Sequence, residues 1–143
     1  MSIRTIETTL IFLLLGLALR AQSVVGTWRT IDDNTGEAKS LVKIYKEGDR
    51  VYGKVIKLLR EHPSTAICSK CTDERKDQPI VGMVVMKDMK QDGRYWRGGN
   101  ILDPEKGRVY TCKIWLAPDN PDKLYVRGYI GPFFRTQNWY RVE

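Results

Sequence analysis

Histidine is almost missing from this chain: of 143 residues only His62 is one, set in a loop beside Pro63. A Ser-His-Asp or Cys-His catalytic set therefore has a single candidate base, with no motif around it. Cysteine is scarce too, with three residues. Cys68, Cys71, Cys112 and His62 would make the only Cys₃His zinc set, and it lacks the second paired knuckle that gives such spacing its specificity. Helical periodicity is also nearly absent. Only Lys54 to Glu61 fits both periods, and we read it as strand with a helical turn at its end. No phosphate-cradling Gly-rich loop precedes a helix. Together these absences predict a protein that is not an enzyme and needs no metal or cofactor.

Long apolar runs are missing as well. The longest, Leu10 to Leu19, falls well short of the ~20 residues of a membrane-spanning helix. Arg4 precedes it and the small residue Ala21 follows it, which is the pattern of a secretory signal peptide. We place the signal at residues 1–21, with cleavage after Gln22 as the neighbouring alternative. Residues 22–143 form one domain, exported to the periplasm or secreted, with no transmembrane segment once the signal is gone. Losing Arg4, Arg20 and Glu7 takes the formal net charge from +7 to +6. A basic exported domain meets anionic envelope components or lipid headgroups, whereas nucleic acid is not an expected partner.

What remains is a chain of short period-two segments separated by turn residues. The expected strands are Val24–Thr30, Ser40–Lys46, Arg50–Lys57, Ile80–Met86, Tyr95–Leu102, Arg108–Leu116, Lys123–Ile130 and Thr136–Val142. Asp32-Asp33-Asn34-Thr35-Gly36, Gly48-Asp49, Asp92-Gly93 and Asp103-Pro104-Glu105-Lys106-Gly107 are the clearest turns. The fold class is all-β. A sequential antiparallel meander of about eight strands that closes on itself leaves no exposed edge, so we expect a small up-and-down barrel.

In a closed meander the first and last strands are neighbours. Gly26-Thr27-Trp28 opens the first and Trp139-Tyr140-Arg141 closes the last, so an arginine can lie over a tryptophan there. In this the chain resembles the calycins, the lipocalins and fatty-acid-binding proteins, and the resemblance gives Gly26, Trp28, Trp139 and Arg141 a barrel-closing structural role. A second resemblance spans nearly the whole domain. It rests on Gly26-x-Trp28, Thr35-Gly36, Tyr52-Gly53-Lys54, Cys68-x-x-Cys71, Asp77-x-Pro79, Trp96-x-x-Gly99-x-Ile101-x-Asp103-Pro104, Gly107-x-x-Tyr110-x-Cys112, Val126-Arg127-Gly128-Tyr129 and Thr136-Gln137-x-Trp139. That order resembles the exported bacterial family called domain of unknown function 2147, which implies no assigned activity.

Two readings compete for the chemistry. In the first, the barrel binds a small apolar or amphipathic molecule, with Trp96, Asn100, Asp103, Arg127 and Tyr129 as contacts near one rim. Two of these also have a plainer reading: Asp103 as a turn starter before Pro104, and Arg127 facing water by its opposite parity to Leu124 and Val126. In the second, the barrel is filled and acts as a non-catalytic envelope interaction module through outer aromatics such as Tyr45 and Trp115. Interior parity gives Trp28, Trp96, Tyr110 and Trp139 inward positions, with Gly53, Gly82, Gly98 and Gly128 leaving room beside them. Export to an oxidising compartment favours a Cys68–Cys71 disulfide that pins a long loop, with Cys112 buried and inert. Spacing alone does not exclude a bond from Cys112 to Cys68 or Cys71.

Overall fold

The computed structural model describes residues 23–59 and 66–143. The signal segment and His62 lie outside the described residues. Among the described residues eight strands run in chain order around a closed antiparallel barrel: β1 Gly26–Ile31, β2 Ala38–Glu47, β3 Arg50–Leu58, β4 Val84–Asp92, β5 Tyr95–Asp103, β6 Arg108–Ala117, β7 Asn120–Ile130 and β8 Phe133–Arg141. Pairing of Trp28 with Arg141 and of Arg29 with Tyr140 joins β1 to β8. Among the described residues no helix is long and apolar enough to cross a membrane.

Period-two patterning positions the core. On β2 and β3 the inward residues Val42, Ile44, Val51 and Val55 are buried while Lys43 and Lys54 between them are exposed. Trp28, Met86, Met89, Ile114 and Leu124 are also fully buried, and they plug one half of the barrel. At ~1.5–3 kcal/mol per large apolar side chain taken out of water, this plug is the principal stabilising feature.

Three strands differ from expectation by three residues or more at an end. The fourth strand begins at Val84 and runs to Asp92, because Ile80 to Met83 instead form a turn that bonds sideways to β3. There Gly82 N–H donates to the Val55 carbonyl at 2.7 Å and Val55 N–H to the Met83 carbonyl at 2.9 Å. β7 starts three residues before Lys123, at Asn120. β8 starts at Phe133, since Gly131-Pro132 alone makes the hairpin turn and leaves Phe133 opposite Ile130.

The interior glycines do not leave room as expected. A Cβ on Gly53 would lie 3.0 Å from Met86 Cβ, and one on Gly128 would lie 3.2 Å from Tyr110 Cβ. Their missing side chains are filled by neighbours. Gly98 is exposed at an irregularity in β5, and Gly99 takes the inward place. Gly82 sits in the turn before β4.

Residues 66–83 fold into a compact flap held by an Ile67–Pro79 bridge. The flap buries Cys68, Cys71, Ile80 and Met83. Cys68 and Cys71 are joined as a disulfide, with Cα atoms 5.4 Å apart. Cys112 is the free, buried thiol. Arg75, 8% exposed, is held by a two-point pair with Asp73 and donates to the Val84 carbonyl at 3.0 Å.

Candidate functional site

The other half of the barrel is open. Below a mouth formed by the β1–β2, β5–β6 and β7–β8 connections lies a cavity of about 480 Å³, within the ~300–1,000 Å³ typical of small-molecule sites. Its lower wall is apolar, with Val42, Val55, Leu58, Ile101, Val126 and the faces of Tyr110 and Trp139. The plugging side chains Trp28, Met86, Met89, Ile114 and Leu124 do not line it, so plug and cavity occupy different parts of the interior.

The upper wall is polar, and its groups answer one another. Trp139 Nε1 donates to Gln137 Oε1 at 3.2 Å, and Gln137 Nε2 donates to Asp33 Oδ2 at 3.2 Å. Arg135 reaches the same Asp33 oxygen at 3.5 Å. This chain of contacts runs from the core out to the β1–β2 loop. Thr30 and Ser40 hydroxyls share a hydrogen bond of 2.7 Å, and Lys39 pairs with Glu105 at 3.4 Å. Basic and acidic groups therefore alternate around the rim, and the mouth has no single-sign field.

The five expected contacts do not form one cluster. Asp103 lines the mouth, and its carboxylate also accepts the Glu105 and Lys106 N–H groups at 3.0 and 3.4 Å, so it organises the β5–β6 turn. Trp96 is buried within the plug, with Lys46 Nζ 5.8 Å from its ring centre. Asn100, Arg127 and Tyr129 stand on the outer face: Asn100 opposite Thr111, Arg127 opposite Lys113, and Tyr129 with its ring 5.9 Å from that of Phe134. The parity that pointed Arg127 to water was the right guide, because a ladder of regular pairs carries it across β6 to β8 without a bulge until Leu116. Gln137, Arg135 and Asp33 were missed. Gln137 and Arg135 were legible as the inward positions two and four residues before Trp139; Asp33 reaches the site through a loop, which no periodicity marks.

At the closed end Arg141 does lie over Trp28, its guanidinium carbon 4.4 Å from the ring centre. Gly26 borders the contact, since a Cβ there would lie 2.6 Å from Arg141 Nη1. Trp139 takes no part in that contact and instead forms the cavity wall. Cys112 lies on an inward position of β6, and burial pushes its thiol up to about 12. Among the described residues no group of three or more His, Cys, Asp or Glu is placed to hold a metal ion.

No curated protein matches the chain at a significant level. A similar solved structure is that of protein HP1028 from Helicobacter pylori, described as belonging to the lipocalin family. It shares 15% identity and a TM-score of 0.72 over 85% of this chain and 84% of that one, a likeness of fold. Residues 26–141 match the family described as "Uncharacterized protein conserved in bacteria (DUF2147)", and with that match covering every strand of the barrel the chain belongs to this bacterial family.

Proposed function

We propose that the protein is an exported, non-catalytic binding barrel that holds one small apolar or amphipathic molecule. The observation that carries this reading is the half-filled interior, a cavity of about 480 Å³ with an apolar lower wall and a polar, charge-balanced mouth. An apolar body would sit between Val55, Val126 and Trp139, and a polar end would reach Gln137 and Arg135. The lipocalin description of the Helicobacter pylori neighbour supports a binding barrel. The disulfide in the flap supports an oxidising compartment.

The test is titration of the protein, expressed from the full chain and recovered after export, with the fluorescent single-chain probe cis-parinaric acid. Saturable binding of one probe per chain is expected. Val55→Trp, which puts an indole into the cavity, should weaken it at least tenfold while leaving the far-ultraviolet spectrum unchanged. No saturable binding, or binding unchanged by Val55→Trp, overturns the reading.

A further inference from the structure

The outer face of β5 to β8 carries a feature that the cavity does not explain. Rings and cations alternate across it in one continuous line. Phe134 on β8 lies 4.5 Å from the Arg127 guanidinium, which lies 5.1 Å from the Trp115 ring centre. Lys113 Nζ is 5.5 Å from Trp115 and 4.0 Å from Tyr95, and Arg94 is 4.9 Å from Tyr95 on its far side. Tyr125 flanks the line, its ring 5.3 Å from that of Trp115 and with Lys123 5.1 Å above it. Among the described residues no carboxylate pairs with Arg94, Lys113, Lys123 or Arg127. The carboxylates borne by β5 to β8 are Asp103, at the cavity mouth, and Asp122, which Arg141 holds at 3.1 Å.

A surface cation with no counter-ion keeps its charge for a partner, and a ring beneath it fixes where that charge sits. The hydrogen bond from Arg94, reinforced by the charges of Lys113 and Arg127, lowers the Tyr95 hydroxyl pKa. The rings stay half-exposed and Phe134 is 60% exposed. Thr111, Thr136 and Asn138 share the face; Thr136 Oγ1 accepts from Arg127 Nε at 2.7 Å and so fixes the guanidinium, while its own O–H remains a donor. A line of cations spaced by rings and flanked by hydroxyl and amide groups matches a linear chain that repeats a negative charge and a C–H-faced ring. We propose that the outer face of β5–β8 binds an anionic polysaccharide, with Lys113 and Arg127 meeting its carboxylates and Trp115 and Tyr95 stacking on its sugar rings.

Polygalacturonate is the probe, with neutral dextran and vesicles of phosphatidylcholine containing phosphatidylglycerol as comparisons. Affinity electrophoresis of the protein expressed from the full chain should show retardation by polygalacturonate and none by dextran. Lys113→Gln with Arg127→Gln should raise the apparent Kd at least tenfold. The control pair Lys43→Gln with Lys54→Gln removes the same charge from exposed, cross-strand positions on β2 and β3, and it should change Kd less than twofold. Equal weakening by the two pairs would mean that net charge alone drives binding, and the proposal falls. It falls equally if wild type is not retarded, or if vesicle binding exceeds polygalacturonate binding and is lost in Phe133→Ser with Phe134→Ser. Cis-parinaric acid binding should survive Lys113→Gln with Arg127→Gln, which separates this face from the cavity.

Discussion

The Arg141 guanidinium lies over the Trp28 ring at 4.4 Å and fastens three chain segments at once. It donates to the Ser23 carbonyl at 2.6 Å, the Val25 carbonyl at 3.0 Å, the Pro121 carbonyl at 3.0 Å and the Asp122 carboxylate at 3.1 Å. Trp28 Nε1 is meanwhile satisfied by the Val24 carbonyl at 2.9 Å. Arg141→Ala strips the ring of its cover and leaves those carbonyls without their donor, and should cost about 2–3 kcal/mol in urea unfolding. Arg141→Lys keeps the charge but not the planar fork, and should recover less than half of the loss.

Gly107 is where the flap touches the barrel. Its φ is +68°, and a Cβ there would lie 1.9 Å from the Lys70 carbonyl oxygen, while Cys68 Sγ sits 3.4 Å from the Pro104 carbonyl. Gly107→Ala should therefore cost roughly 1–3 kcal/mol. It should lift residues 66–83 away from the β5–β6 turn. Hydrogen exchange of the Cys71 and Ile80 amides should quicken, with β2 and β3 amides unchanged.

The three cysteines should separate cleanly by chemistry. In the native protein iodoacetamide should label none of them at neutral pH, because Cys68 and Cys71 are joined and the Cys112 thiol is buried, with burial pushing it up to about 12. Unfolding without reductant should add one label by intact mass; reduction as well should add three. Cys68→Ser with Cys71→Ser should cost roughly 2 kcal/mol or less, since a short closed loop restrains the unfolded chain little.

Acid should loosen the flap before the barrel. The Arg75 guanidinium bonded to Asp73 holds that carboxyl down at about 2, against an ordinary value of 3.8. A carboxyl depressed on folding adds stability that is complete above its unfolded pKa and is lost as pH falls through its folded one. The Asp73 contribution should thus fade between about pH 4 and pH 2, and Asp73→Asn should flatten stability against pH in that window. A curve for Asp73→Asn parallel to wild type there would show that the pair contributes nothing.

Asp33 ties the β1–β2 loop to Gln137 and Arg135 on β8 at the cavity mouth. Asp33→Ala frees Gln137 and Arg135 and should loosen the β1–β2 loop, at a cost below ~1 kcal/mol in global stability. Stopped-flow displacement of cis-parinaric acid should show dissociation quickened several-fold, with Lys43→Gln as an unaffected comparison.

The barrel itself was legible because inward and outward residues alternate on most strands, and because turns such as Gly48-Asp49 carry their own local chemistry. Closing that meander makes the first and last strands neighbours, which is what brings Arg141 over Trp28. The candidate site was legible only in part. Asp103 was found at the rim because a turn starter before Pro104 needs no distant partner. Trp96 points inward as its parity requires, but it was read as a rim contact and is packed into the plug instead, because it stands at the start of β5, at the opposite end of that strand from Asp103 and the mouth. The flap was read as a loop with a clip, but not as something packed against Gly107.

By itself the sequence determined the all-β class, the order and approximate extent of the strands, and the inward faces wherever no bulge intervenes, since these follow from local alternation and turn chemistry. Only the tertiary structure decided that Cys68 bonds Cys71 rather than Cys112, because that turns on which residues meet across the barrel. It also decided that one half is plugged and the other hollow. Side-chain volumes summed around eight strands set that outcome, together with the register that stacks Met86 against Gly53 and Tyr110 against Gly128.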